Sequence, residues 1–362
     1  MRRMKEIESA NCPDIKKVMD PIMWQLDQAM EMLKETTIVP VTKLPPAANK
    51  GNAHLDIFSK DLKVTWEKLS PLPVCRSAHT AVLLGGVIYV GGGFEGRSDE
   101  ERVITYRLDA YNLITNQWST SPIITPCSEF AMTVLDEHVI IAGGIMKNYE
   151  VIGKVYYLHA GKWENYSEMP TARYYATAVG YQSRLIIVGG ITSIKGEWIT
   201  LSTVELLDPL NGHWYKCSNL PSPHAQLTSV VVDGTLYLLG GRGQNGSSSQ
   251  VFAASLHTLS TQQLNWQSLP DTPWCASSFC VLYNKYLMAV GGRKQSDNTT
   301  QTSEIHAFNP TTGLWVHVTD IPTGRSRAAV VGVAENKVIC AGGAVRSSDR
   351  KFSDVLWIGT FE

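Results

Sequence analysis

The sequence predicts an all-β chain built from six copies of one four-stranded antiparallel unit, preceded by a short helix. Three observations predict it. First, four apolar residues followed by two glycines recur six times: VIYVGG at 87–92, VIIAGG at 139–144, LIIVGG at 185–190, LYLLGG at 236–241, LMAVGG at 287–292 and VICAGG at 338–343. Counted from the first glycine, at 91, 143, 189, 240, 291 and 342, the intervals are 52, 46, 51, 51 and 51. A period near fifty marks a repeat array. Second, tryptophan recurs almost in step, as Trp66, Trp118, Trp163, Trp214, Trp266 and Trp315. Third, the segments between these marks are strand-length and are joined by turn residues such as DPLNG and NPTTG. That alternation describes an antiparallel meander, not strands alternating with helices. Four strands per period make one blade of a β-propeller.

The elements follow in order. Residues 1–60 stand outside the repeat. Asp20 followed by Pro21 reads as an N-cap with proline at the first helical position. Ile22, Met23, Leu26, Met30 and Leu33 then form one apolar stripe, so a helix is expected over about 21–35. The stretch IVPVTKLPPAANKGN reads as a linker. The second domain is expected at 61–362. Its third unit shows the template: RYYATAVG (173–180), LIIVGG (185–190), TVELLDP (203–209) and HWYKCSNLP (213–221) are successive strands. No tryptophan follows the last glycine pair at the proper distance, whereas Trp66 lacks the three strands that should precede it. Residues 62–70 are therefore expected to supply the outer strand of the unit begun near 325, closing a six-bladed ring and removing an open sheet edge.

Two glycines after an apolar strand, an aromatic or apolar third strand, and a tryptophan about two dozen residues on resemble the kelch repeat. The resemblance spans residues 62–360. The family usually carries tyrosine in the third strand; here ITYRLDA and VYYLHA comply, while VELLDP, VFAASL, IHAFNP and DVLWIG place other residues there. It implies a propeller that binds partner proteins, and arginines of its loops resemble those with which kelch proteins contact acidic peptides.

Composition narrows the function classes. A formal net charge of −1 offers no overall field for nucleic acid or an anionic membrane. No apolar run approaches the roughly 20 residues that cross a bilayer, and the N-terminus, MRRMKEIESANC, has no apolar segment behind its basic residues. Seven cysteines without a CxxC pair read as free thiols in a reducing, cytoplasmic compartment. No metal or cofactor site is expected. Gly241-Arg-Gly-Gln-Asn-Gly246 matches GxGxxG but leads into a strand, without the helix N-terminus that would meet a pyrophosphate. HExxH, GxSxG and GKS/T do not occur. His79 and His224 read as structural histidines.

Function is therefore expected in loops. In a four-stranded meander the second-to-third and fourth-to-first connections emerge on one face. The second-to-third loops are long and differ between units, whereas turns of the other face, such as LDEH and YQSR, are short. Variable loops on a rigid scaffold place recognition on the first face. Arg97, Arg242, Arg293 and Arg346 follow glycine pairs there, and Arg76, Arg173, Arg325 and Arg327 lead into first strands. Guanidinium forks suit carboxylates; an arginine at a first-strand lead-in otherwise bridges neighbouring blades. Tyr149, Trp198 and Trp274 share these loops, either as binding anchors or folded back over a blade edge. The expected partner set is Arg97, Tyr149, Arg173, Trp198, Arg242, Trp274, Arg293, Arg325 and Arg346, facing a protein or peptide of acidic character. The N-terminal helix offers a second contact or self-association. The favoured reading is a non-catalytic interaction module. The alternative is a six-bladed sugar mutarotase, of the kind acting on sialic acid, which would draw on Glu129, Arg76, Arg173 and Arg325.

Overall fold

Each apolar run before a glycine pair forms the second strand of an antiparallel sheet in the computed structural model. It describes residues 63–123, 127–274, 279–282, 286–293, 300–309, 312–334, 336–345 and 351–362. The helix expected over 21–35, the linker to residue 60 and Arg346 lie outside the described residues.

The described residues hold six four-stranded sheets. The first runs Thr80–Leu84, Val87–Gly91, Arg107–Asn112, Gln117–Pro122, and the second Ala131–Leu135, His138–Ala142, Lys154–His159, Lys162–Glu168. The third runs Thr177–Tyr181, Arg184–Val188, Val204–Asp208, His213–Cys217, and the fourth Thr228–Val232, Thr235–Leu239, Val251–Ser255, Gln267–Leu269. The fifth comprises Phe279–Leu282, Tyr286–Arg293, Gln301–Asn309 and Leu314–Asp320. The sixth begins with Ala329–Ala334, Lys337–Ala341 and Leu356–Phe361, and its outermost strand is Val64–Lys68. Val64 lies opposite Phe361 and Lys68 opposite Trp357, so the strand carrying Trp66 pairs where the displaced tryptophan predicts.

The apolar runs are continuous because second strands are covered on both faces. Leu185 and Ile187 pack with Ile140, Ala142 and Val155 of the second sheet. Their alternate neighbours Ile186 and Val188 pack with Leu236, Leu238 and Phe252 of the fourth. Side chains alternate across a strand, so a sheet sandwiched between two others needs apolar residues at every position. The core is accordingly split into clusters between successive sheets, one of which joins Ile339, Ala341 and Leu356 of the sixth to Ile88, Val90 and Tyr111 of the first. First strands touch first strands in sequence, and that of the sixth sheet touches that of the first.

The glycine pairs make close approach between sheets possible. Gly189 has φ +61°, and a Cβ placed there would lie 2.2 Å from the carbonyl oxygen of His224 in the next unit. Gly190 N–H donates to that same carbonyl at 2.9 Å. Only a residue without Cβ fits both demands. Equivalent bonds run from Gly144 to Arg173 O (2.9 Å) and from Gly343 to Arg76 O (2.8 Å). In the first unit the matching pair is Gly92–Gly93, with φ +66° and +85°, because the strand continues through Gly91. The glycine intervals then become 51, 46, 51, 51 and 51, more regular than the sequence pattern VIYVGG suggests.

Four of the six repeat tryptophans latch outer strands together through their indole N–H. Trp118 Nε1 donates to Ser70 O (3.1 Å), Trp214 to Ser167 Oγ (2.9 Å), Trp266 to Ser218 O (3.1 Å) and Trp315 to Pro270 O (3.0 Å). Each acceptor lies just past the outer strand of the preceding sheet or at its end. The one departure from all-strand structure among the described residues is a 3₁₀ turn, Leu256–Thr261, capped by Ser255.

Candidate functional site

Every described lead-in to a first strand is a triplet of one conformation: Arg76-Ser-Ala78, Cys127-Ser-Glu129, Arg173-Tyr-Tyr175, His224-Ala-Gln226 and Arg325-Ser-Arg327. The third residue is left-handed each time, with φ of 57°, 57°, 54°, 56° and 55°. Backbone bonds pass between these positions: Tyr175 N–H to Glu129 O (2.8 Å), Gln226 N–H to Tyr175 O (2.8 Å) and Ala78 N–H to Arg327 O (3.0 Å). Non-glycine residues adopt this backbone at a cost of order 1 kcal/mol or more each. Here it turns all five third residues onto one open cavity of about 570 Å³, lined also by the first strands and by Arg242, Ser247 and Arg293.

The first residue of each triplet turns the other way. Arg76 is buried and pairs with Asp109 at 2.5 Å. Arg173 is buried against Glu205 at 3.0 Å and donates to Gly189 O (2.9 Å) and Thr203 O (3.2 Å). Arg325 donates to Gly342 O at 2.8 Å and, through Nε, to Thr323 O at 3.2 Å. Arg173 and Arg325 are thus occupied within the fold, which corrects their expected place on the partner face and, with Arg76, at a sugar site. Trp274 is also corrected: it is 3% exposed, and its indole donates to Gly291 O. His79 and His224 are buried with polar partners, His79 on Ala341 O and His224 on Ser222 O and Ser248 Oγ. Burial and the nearby Arg76 push His79 down to about 3, so it is neutral at pH 7.

Among the other expected residues, Arg242 and Arg293 do line the cavity; Arg242 is exposed, and Arg293 Nε reaches Ser326 Oγ at 3.3 Å. Arg97 is exposed, with its carbonyl taken by Phe352 N–H (2.9 Å), and it does not line the cavity. Tyr149 is 73% exposed on the loop of the second unit. Trp198 is 49% exposed on the loop of the third, edge-on to Tyr174. The loop holding GxGxxG is a small hairpin, Arg242–Gly243 with Gly246–Ser247.

Arg327, Glu129, Tyr175 and Gln226 also line the cavity and were not in the expected partner set. The Tyr175 hydroxyl donates to the Glu129 carboxyl. Burial pushes Glu129 up to about 7, against the Tyr175 bond and the charges of Arg327 and Arg102. Among the described residues lining the cavity, three guanidiniums (Arg242, Arg293 and Arg327) therefore accompany one carboxyl that is about half ionised near neutral pH, and Arg327 also approaches Asp99 at 4.0 Å. A group whose pKa is raised on folding stabilises the fold below its ordinary value, and that stability is lost as pH rises through the folded value. For Glu129 the window runs from 4.5 to about 7. Glu129→Gln should therefore match wild type in this respect below the window and exceed it above by roughly 1–2 kcal/mol, less than the 1.4 kcal/mol per unit limit because the carboxyl is partly solvated. Urea unfolding at both ends of the window measures this; a difference independent of pH contradicts the assignment.

Among the described residues, no group of three or more His, Cys, Asp or Glu side chains is arranged to hold a metal ion. No helix there is long and apolar enough to cross a membrane.

Comparison with known proteins settles the family. Residues 129–343 match the KLHDC2/KLHL20/DRC7 Kelch-repeats domain, and residues 75–123 match the Kelch motif. The chain belongs to the kelch-repeat family. Among curated kelch proteins it is 28% identical to beta-scruin of Limulus polyphemus over 64% of this chain and 26% of that protein. It is 26% identical to Kelch-like protein terF of Aspergillus terreus over 64% of this chain and 54% of that one. Kelch-like protein 35 of Mus musculus is 24% identical over 65% and 38%. The chain spans about a quarter to about half the length of these relatives. Among solved structures, that of YjhT superposes with a TM-score of 0.65 at 14% identity, covering 81% of this chain and 99% of that chain. That likeness is one of fold.

Proposed function

We propose that this kelch-repeat chain is a non-catalytic protein-interaction module of the cytoplasm, in which residues 61–362 form one six-bladed propeller closed by the strand around Trp66. Three contacts across the junction of the sixth and first sheets support closure: Gly343 N–H to Arg76 O, Ala78 N–H to Arg327 O, and Trp118 Nε1 to Ser70 O. Each repeats a bond made between other units. The partner is a protein or peptide bound at the face that carries the cavity, while residues 1–60 supply a second contact.

The observation that carries the reading is the cavity's charge: among the described lining residues three guanidiniums accompany one carboxyl, Glu129, which burial leaves about half ionised near neutral pH. Such a site suits a carboxylate-bearing segment, because the planar fork of arginine pairs two oxygens at once. Kelch relatives point the same way, since kelch domains generally mediate protein–protein interactions. Affinity capture with wild type and with Arg242→Ala plus Arg293→Ala tests it. The double variant should retain less than about a tenth of the bound partner, as loss of two charge-assisted contacts implies. Unchanged capture overturns the assignment of the face.

One observation favours the mutarotase alternative. Glu129, beside the Tyr175 hydroxyl in an open cavity, is a carboxyl poised near neutral pH, as general acid–base groups are. A sugar-mutarotation rate above background that Glu129→Gln abolishes would decide for it.

A further inference from the structure

The loop of the third unit is built as a small platform beside the cavity. Ile191–Ile194 and Glu197–Thr200 form a hairpin in which Ser193 faces Trp198. Lys195 and Gly196 at its tip both have positive φ, as a tight two-residue hairpin turn requires. Its base is tied to the cavity rim, since Ile191 N–H donates to Tyr174 O (2.8 Å) and Tyr174 N–H returns to Ile191 O (3.0 Å). Period-two alternation puts Trp198 on the hairpin face opposite the exposed Ile194 and Ile199. On that face Trp198 meets Tyr174 edge to face, with ring centroids 5.6 Å apart and planes at 82°. Tyr174 in turn lies 5.0 Å from the ring of Tyr175, which lines the cavity and bonds to Glu129. Tyr174 is also within electrostatic reach of Arg242.

An indole left about half exposed beside a basic cavity is a ready seat for apolar surface. The neighbouring Arg242 disfavours a cation on these rings, so the matching group is an uncharged, bulky one. The ring-to-ring steps of 5.6 and 5.0 Å bound the distance from Trp198 to the cavity wall. They total no more than about 11 Å, the span of about three extended residues.

We infer that the face recognises a two-part peptide: an acidic segment in the cavity lined by Arg242, Arg293 and Arg327, and, about three positions from the acid that enters the cavity beside Tyr175, a bulky apolar residue on Trp198 and Tyr174. This rests on the basic-cavity reading proposed above and adds a specificity element to it. Trp198 supplies the apolar seat, and the acid supplies register.

Fluorescence anisotropy with two labelled peptides tests the inference. One carries a glutamate pair with phenylalanine three positions along, and the other has serine in place of the phenylalanine. Wild type should bind the phenylalanine peptide about tenfold more tightly. Trp198→Ala, whose fold is checked by its unfolding curve, should reduce that ratio to about one while binding the serine peptide as wild type does. Arg242→Ala plus Arg293→Ala should weaken both peptides and preserve the ratio. Equal binding of the two peptides by wild type, or a tenfold ratio that survives Trp198→Ala, overturns the apolar seat and leaves the basic cavity standing. No saturable binding of either peptide by wild type overturns both.

Discussion

Arg173→Ala is expected to destabilise the fold by about 3–5 kcal/mol, because it strands a buried carboxylate. Arg173 and Glu205 are both inaccessible to solvent, and their side chains meet at 3.0 Å. Burial works to lower the guanidinium pKa, and Glu205 is the charge that opposes it. Truncation also removes the donors to Gly189 O, Thr203 O and Thr171 O, three carbonyls at the joint between strands. Thr171 Oγ1, 2.6 Å from Glu205 Oε1, then remains to donate to the carboxylate. Replacing both members, as Arg173→Leu with Glu205→Leu, should recover most of the loss, since an apolar pair of similar volume often matches a buried ion pair. Denaturant unfolding of the two single variants and the double variant measures the coupling. The double variant should also capture partner as wild type does, because Arg173 offers no surface to it. A fold undisturbed by Arg173→Ala, or capture lost in the folded double variant, would return Arg173 to the partner face.

A chain starting at residue 71 is expected to lose cooperative unfolding or to fall by about 10 °C or more in Tm, whereas one starting at residue 59 should unfold like the full chain. The difference is the strand Val64–Lys68. Val64 and Trp66 pack against Val338 and Phe361, and five ladder positions join the strand to Leu356–Phe361. Bonds at its ends extend the attachment: Leu69 N–H to Leu356 O (2.9 Å) and Glu362 N–H to Lys63 O (2.8 Å). Half-burial of the two apolar side chains contributes roughly 2–3 kcal/mol. Their loss would also bare the edge of Leu356–Phe361, a template for aggregation. Calorimetry with light scattering reads both effects. Equal stability of the two truncations would contradict closure by this strand.

The repeat was legible because its signals have physical causes that sequence displays. Paired glycine reports a place where a Cβ would strike the next unit, as at Gly189 against His224 O. The run LIIV reports a strand covered on both faces, and the displaced Trp66 reports the outer strand of the sixth sheet. The one-residue offset in the first unit was hidden by three consecutive glycines, of which only Gly92 and Gly93 have positive φ.

The site was legible in part. Arg242 and Arg293 follow glycine pairs, and the cavity receives both. Arg173 and Arg325 were misplaced because position along the chain says nothing of side-chain direction at a strand's lead-in. There the first residue of the triplet turns inward and the third turns to the cavity, through a left-handed backbone that normally announces itself by glycine or asparagine. Ala78, Glu129, Tyr175, Gln226 and Arg327 carry no such mark. Aligning the triplets would have shown polar residues gathering at that third position.

Amide hydrogen exchange of the wild-type chain, free and with its captured partner, tests the central claim most directly. Added protection is predicted in the loops at 191–200 and 242–248, with no change at the opposite turns around 136–137, 182–183 and 233–234. Protection confined to those turns, with the cavity loops exchanging as in the free chain, would contradict it.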